Sequence, residues 1–207
     1  TVDADSLGRA FYCSAADSTT VFAGLTLTNG LSPDEGGAMF CEDSFLTLMN
    51  CAFENNRARN EWGHAYGGGI SFDFSSATIL DCTFTGNTSS SGWPHGSASG
   101  GAIYMWHSDA VISGCDFSDN CSVDGGAVSS ESGDTLFISD CVFSENPGNY
   151  GGALYSGETV LEDCLFVGNG FGGSHGGGAS LGHGSTVTRC TFEDNVAEFY
   201  AGMWLRS

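Results

Sequence analysis

The chain has 207 residues, enough for one ordinary domain or one short repeat array, and its hydrophobic fraction of 41% suits a packed core and excludes general disorder. Twenty-five acidic residues face five arginines and no lysine, a formal net charge of -20; this excludes nucleic acid and anionic lipid as partners and favours solubility and divalent cations. The 32 glycines follow no G-X-Y triplet, which excludes collagen, and the apolar runs are too short and interrupted for a transmembrane helix, so no membrane insertion by this segment is expected.

The first residues, "TVDADSLGRA", carry neither an initiating Met nor a signal-peptide core, and the chain reads as a processed protein or an excised piece. Residues 1–19 are expected to form an N-terminal partial coil or cap. Residues 20–198 then repeat. "TVFAGLTLTNG" (20–30) is the first rung, with Leu25, Leu27 and Gly30 in the places that later read C-x-F-x-x-N. Six such hexapeptides follow: "CAFENN" (51–56), "CTFTGN" (82–87), "CDFSDN" (115–120), "CVFSEN" (141–146), "CLFVGN" (164–169) and "CTFEDN" (190–195). A second motif keeps step with them: "GGAM" at 36–39, "GGGI" at 67–70, "GGAI" at 100–103, "GGAV" at 125–128 and "GGAL" at 151–154, then the degenerate "GGGA" at 176–179 and "YAGM" at 200–203. The unit is about 25 residues long. Two longer units carry the inserts "RARNEWGHAY" (57–66) and "TSSSGWPHGSAS" (88–99). Residues 199–207 read as an incomplete final coil.

Within a unit the apolar spacing is that of strands. Ile103 and Met105 point one way, Tyr104 and Trp106 the other. An apolar residue precedes each repeated cysteine by three: Leu48, Ile79, Ile112, Ile138, Leu161 and Val187. Three short strands per unit, with no sustained helical period, predict an all-β, right-handed parallel β-helix of about seven coils, one domain over residues 1–207. Phe53, Phe84, Phe117, Phe143, Phe166 and Phe192 fill the interior of successive coils. Cys51, Cys82, Cys115, Cys141, Cys164 and Cys190 pack beside them as reduced thiols, because parallel neighbours point the same way and do not face for bridging. Asn56, Asn87, Asn120, Asn146, Asn169 and Asn195 end the strand, tolerate a left-handed turn, and can bond to the asparagine above and below. The glycine pair allows a corner that a Cβ would obstruct.

"GGAI" paired with F-x-x-N resembles the repeat of the chlamydial polymorphic outer-membrane proteins, and "GLTLTNG … GGAMF … NCAFENN" is similar to bacterial secreted right-handed parallel β-helix proteins. The resemblance covers roughly residues 10–204. It implies the solenoid fold and, by the chlamydial example, a surface adhesin. The same solenoid carries lyases, polysaccharide hydrolases and tailspikes, so function has to come from the outer surface.

On that surface, Glu42, Asp73, Trp106 and Glu131 are expected in one column. Glu42 and Asp73 on adjacent coils suit a retaining glycosidase pair; a lyase would want a basic residue beside its Ca²⁺ to abstract the proton, and the middle coils offer no Lys and no Arg between Arg59 and Arg189, so a solvated acidic face is the plainer reading. Both inserts place Trp, a spacer and His before the glycine corner, bringing Trp62, His64, Trp93 and His95 together with Tyr66, Tyr104 and Trp106 as ligand-binding candidates; the plainest reading is that both tryptophans fold back over the glycine corner, the next a ligand surface for sugar rings, and the third a transition metal held by the paired histidines. Cys13 and Cys41 fall at one strand position of neighbouring coils and are the disulfide candidate, with simple stacking as the alternative. Asn87 and Asn120 sit in N-x-S/T sequons but should be occupied in the turn and unmodified. No cofactor is called for; Ca²⁺ is the ion the acidic column could bind.

The expected function is that of an extracellular or cell-surface structural or adhesive solenoid with no active site, associating end to end with its own copies into filaments. Two alternatives stand beside it: a polysaccharide-active enzyme using the acidic column, and a glycan-binding module using the Trp/His inserts.

Overall fold

In the computed structural model, residues 1–92, 96–131, 133–171 and 175–206 are described. Among them three parallel sheets run through the stack. Sheet 1 has eight strands, from Phe11–Ser14 to Met203–Leu205; sheet 2 has seven, from Thr20–Ala23 to Thr186–Thr188; sheet 3 has eight, from Val2–Asp3 to Thr191–Glu193. Each coil passes through sheets 1, 2 and 3 and returns at a glycine corner. The polypeptide is thus a parallel β-helix, in which every strand hydrogen-bonds to its copies one coil away.

The register places like on like. Phe53 pairs with Phe84, Phe84 with Phe117, Phe117 with Phe143 and Phe143 with Phe166. Their rings stack almost parallel at 4.5–4.9 Å, the rung spacing itself. Leu48, Ile79, Ile112, Ile138 and Leu161 line sheet 2, and Met39, Ile70, Ile103, Val128 and Leu154 line sheet 1, all buried in one core. No single strand could bury this face; the stack does.

Each of the three bends between sheets, including the one that opens the return corner, is capped by a side chain from the next coil. At the bend from sheet 1 to sheet 2 the Ser44 N–H donates to Ser75 Oγ, the Ser75 N–H to Ser108 Oγ and the Ser108 N–H to Asp134 Oδ1, at 2.9–3.0 Å. Between sheets 2 and 3 the acceptors are thiols: Cys51 N–H to Cys82 Sγ, Cys82 N–H to Cys115 Sγ and Cys115 N–H to Cys141 Sγ, each 3.4 Å. This explains cysteine there: a methyl-bearing side chain would fill the space but leave a buried N–H without a partner. Where sheet 3 ends, asparagine serves. Asn56 directs both its N–H and its Nδ2 at Asn87 Oδ1, and the pattern repeats upward through Asn195.

These asparagines are not the left-handed residues, contrary to the sequence expectation. The residue before each takes that conformation: Asn55, Gly86, Asp119, Glu145, Gly168 and Asp194, with φ between 51° and 66°. The bend turns the following Asn inward, where its amide is consumed by the ladder. Asn87 and Asn120 are fully buried for that reason, and the sequons face the interior.

The inserts add strands of their own. Arg57–Asn60 and Thr88–Ser91 pair with each other, and Leu31–Ser32 joins them; Ala65–Tyr66 pairs with Ala98–Ser99. Residues 1–19 contribute Val2–Asp3 to sheet 3 and Phe11–Ser14 to sheet 1. At the corner the second glycine is a steric requirement: a Cβ on Gly101 would lie 2.1 Å from Gly126 O and 2.6 Å from Cys121 N.

Candidate functional site

The outward positions of sheet 1 form columns along the stack. Ser14, Glu42, Asp73 and Trp106 are register partners in turn, and Glu131 continues the column, its N–H donating to Met105 O. Two residues earlier runs Tyr12, Phe40, Ser71, Tyr104, Ser129 and Tyr155. Across the glycine corner runs a third column, Glu35, Tyr66, Ser99, Asp124 and Tyr150.

A cleft of about 400 Å³ opens where these columns meet, because Ser71 is small between Phe40 and Tyr104. Glu35, Tyr66, Ser71, Phe72, Asp73, Tyr104, Trp106 and Glu131 line it. Tyr66 leans across the corner and stacks on Tyr104 at 4.4 Å. This covers Tyr104, which is 5% exposed, while Trp106 keeps 41% of its surface open. The Tyr104 hydroxyl donates to Glu131 Oε1 at 3.0 Å.

The cleft is strongly negative. Burial, then the charges of Asp34 and Asp73, push the Glu35 carboxyl above its usual range. Burial, then Glu42 and Asp43, raise Asp73, and its Oδ1 is buried without a hydrogen-bond partner. Burial, then Glu131, raise the Tyr66 and Tyr104 phenols. On the neighbouring coil, Asp124 is pushed up to about 6 by burial, then by Glu131.

Of the residues singled out in the sequence, Asp73, Glu131, Tyr66, Tyr104 and Trp106 come together here. Glu42 does not line the cleft; its carboxylate accepts from the Tyr12 hydroxyl one coil away. Trp62 is 80% exposed. His64 stacks on the far side of Tyr66 at 5.9 Å, and its Nδ1 accepts from the Ser97 N–H at 3.0 Å. Trp93 and His95 lie outside the described residues. Glu35 was missed; the sign available was its place directly before the glycine corner, the place Tyr66 holds one unit later.

No group of three or more His, Cys, Asp or Glu side chains among the described residues converges to hold a metal ion. Cys13 and Cys41 are register partners, yet both are free thiols; in-register parallel strands set the two Cα–Cβ bonds side by side rather than facing. The six repeated cysteines are likewise free. A second concavity of about 450 Å³ lies on the outer face of sheet 2, with Phe45, Val111 and Phe137 among its lining.

Residues 81–105 match the Chlamydia polymorphic membrane protein repeat, a span that holds Cys82, Phe84, Asn87 and the "GGAI" corner. No curated protein and no solved structure matches the chain. Residues 101–207, half of the sequence, match the right-handed β-helix region, whose stacked parallel strands are those described above. The chain belongs to the right-handed β-helix family.

Proposed function

We propose that this β-solenoid acts at the cell surface or outside the cell as an adhesive protein, with the acidic, aromatic cleft of sheet 1 as its contact surface. One observation carries the reading: Tyr66, Tyr104 and Trp106 gather around an open cleft on a stack whose repeated residues are otherwise spent on packing. Function in a repeat protein resides where a coil departs from the repeat, and this cleft exists because two coils carry inserts and one carries Ser71 between aromatic neighbours. The chlamydial-type repeat supports the surface placement. Recognition fits the cleft better than bond cleavage: no Arg or Lys lines it, and Glu42 is held by Tyr12 rather than facing Asp73 across a substrate.

Beads coated with the purified protein test this on a glycan array and on cultured cells. They should adhere, and Trp106→Ala should abolish adhesion without moving the urea midpoint. Adhesion left intact by Trp106→Ala, or reducing ends released from mixed polysaccharides, would sink the reading.

A further inference from the structure

The cleft combines two features that a neutral ligand does not need together. Three carboxylates, those of Glu35, Asp73 and Glu131, share it with the rings of Tyr66, Tyr104 and Trp106, and among the described residues no cationic side chain lines it. Burial first, and neighbouring carboxylates second, push both Glu35 and Asp73 upward: Asp34 and Asp73 act on Glu35, Glu42 and Asp43 on Asp73. Among the described residues Asp73 Oδ1 remains buried with no hydrogen-bond partner. Arg9 sits behind the cleft, bonded to Glu35 O and paired with Asp34, and its charge works against the rise at Glu35 without cancelling it. Among the described residues no arginine pairs with Asp73 or Glu131, as Arg189 does with Asp163.

We propose that the cleft receives an organic cation, an alkylammonium group seated against the rings and neutralised by the carboxylates. This rests on the reading of the cleft as the contact surface and names what it contacts. Aromatic faces carry negative electrostatic potential and attract ammonium groups, most strongly where water is excluded. Trp106, 41% exposed, gives such a face, the Tyr66–Tyr104 stack walls the cleft beside it, and Asp73 and Glu131 flank Trp106 in the register column. A bare divalent ion is a poorer occupant. Ca²⁺ takes six to eight oxygens at about 2.3–2.6 Å, whereas these carboxylates do not converge as a metal-binding group. A volume of about 400 Å³ is room for a multi-atom head group. A neutral sugar would stack on the rings but leave the carboxylates unneutralised. An anionic ligand would meet the carboxylates directly.

Choline and its neutral isostere 3,3-dimethylbutan-1-ol separate these cases, read by titration calorimetry and by saturation-transfer NMR on the intact chain. Choline should bind at least about tenfold more tightly than the isostere, and more weakly as salt rises. Glu131→Gln keeps an oxygen for the Tyr104 hydroxyl, so the fold should persist while choline affinity falls about tenfold. Glu54→Gln, on the outside of sheet 3, should change nothing. Equal affinity for choline and the isostere, no choline binding, or indifference to Glu131→Gln would overturn the inference. Binding of methyl β-glucoside without choline would overturn it too and leave a contact surface for neutral sugars. If choline binds but fails to compete with bead adhesion, the cation site stands and the adhesive reading falls.

Discussion

Asn87 directs two hydrogen bonds at one atom of its neighbour: its N–H and its Nδ2 both reach Asn120 Oδ1, at 3.0 Å. Asn120 in turn gives its own Nδ2 to Phe84 O and to Asn146 Oδ1. All of this is fully buried. Asn120→Ala therefore strands two Asn87 donors and the Phe84 O acceptor on one coil, and removes one of the two donors from Asn146 Oδ1 on the other. Each buried group left unmatched costs about 1–3 kcal/mol, so the total loss should be about 3 kcal/mol or more. Asn195 lies at the partly buried end of the ladder, and Asn195→Ala should cost less. Urea denaturation of the two variants decides the matter; equal losses would mean that the ladder is not a continuous buried network.

The phenylalanine stack makes a parallel claim about packing. Phe117 has ring neighbours on both sides, Phe84 at 4.9 Å and Phe143 at 4.7 Å, and no exposed surface. Phe192 has Phe166 on one side and is only partly buried. Phe117→Ala should destabilise by about 3–5 kcal/mol, the range for emptying a well-packed aromatic site. Phe192→Ala should cost clearly less, because a terminal coil can relax into the gap. Thermal and urea melts of both variants give the comparison.

Most of the stack was legible because each rung spells its residues in step. Six copies of C-x-F-x-x-N set the sheet 3 register, and the apolar residue before each cysteine marked sheet 2. The serine ladder was not legible: Ser44, Ser75 and Ser108 lie among many other serines, and only the register shows that they cap one another. The left-handed bends were half visible. Gly24, Asn50, Asp81, Gly114, Asp140 and Asp163 are residue types that accept this conformation, but Phe74, His107, Glu145 and Arg189 adopt it as well, where stacking overrides local preference. The acidic column was readable from strand spacing. The cleft was not, because it depends on Tyr66 crossing the corner to reach Tyr104 and on the notch at Ser71.

Glycine is required at the corner and dispensable at Gly8. Gly101→Ala would place a methyl 2.1 Å from Gly126 O, a backbone atom that cannot move without opening the next coil. Loss of several kcal/mol or failure to fold is expected; the class of defect is overpacking against backbone. Gly8 has no atom within 4 Å of where a Cβ would stand. Gly8→Ala should be neutral or stabilising by up to about 1 kcal/mol, through the unfolded state. Comparable destabilisation by the two substitutions would contradict the corner geometry.

Acid should stabilise this protein. Burial pushes Asp134 and Asp124 up to about 6, and Glu35 and Asp73 are raised by the same cause first. A carboxyl whose folded value lies above its unfolded value of about 3.9 to 4.3 binds its proton more readily in the folded state. The stability it contributes is fully present below the unfolded value and is lost as pH rises through the folded value. Asp3, Asp17 and Asp163 are shifted the other way by hydrogen bonds, but they are exposed and screened. Relief of self-repulsion in a chain of net charge -20 adds to the effect. Tm should therefore rise as pH falls from about 7 to about 5 and level off near pH 4. Asp134→Asn isolates the contribution of one group. Its amide oxygen can still accept from the Ser108 N–H, a bond of 2.9 Å, while the charge on the unpartnered Oδ2 is removed. The variant should melt higher than the parent at pH 7 and show a shallower rise on acidification. Circular-dichroism melts at constant ionic strength measure both, and a Tm that falls steadily from pH 7 to pH 5 would reverse the sign assigned to these buried carboxyls.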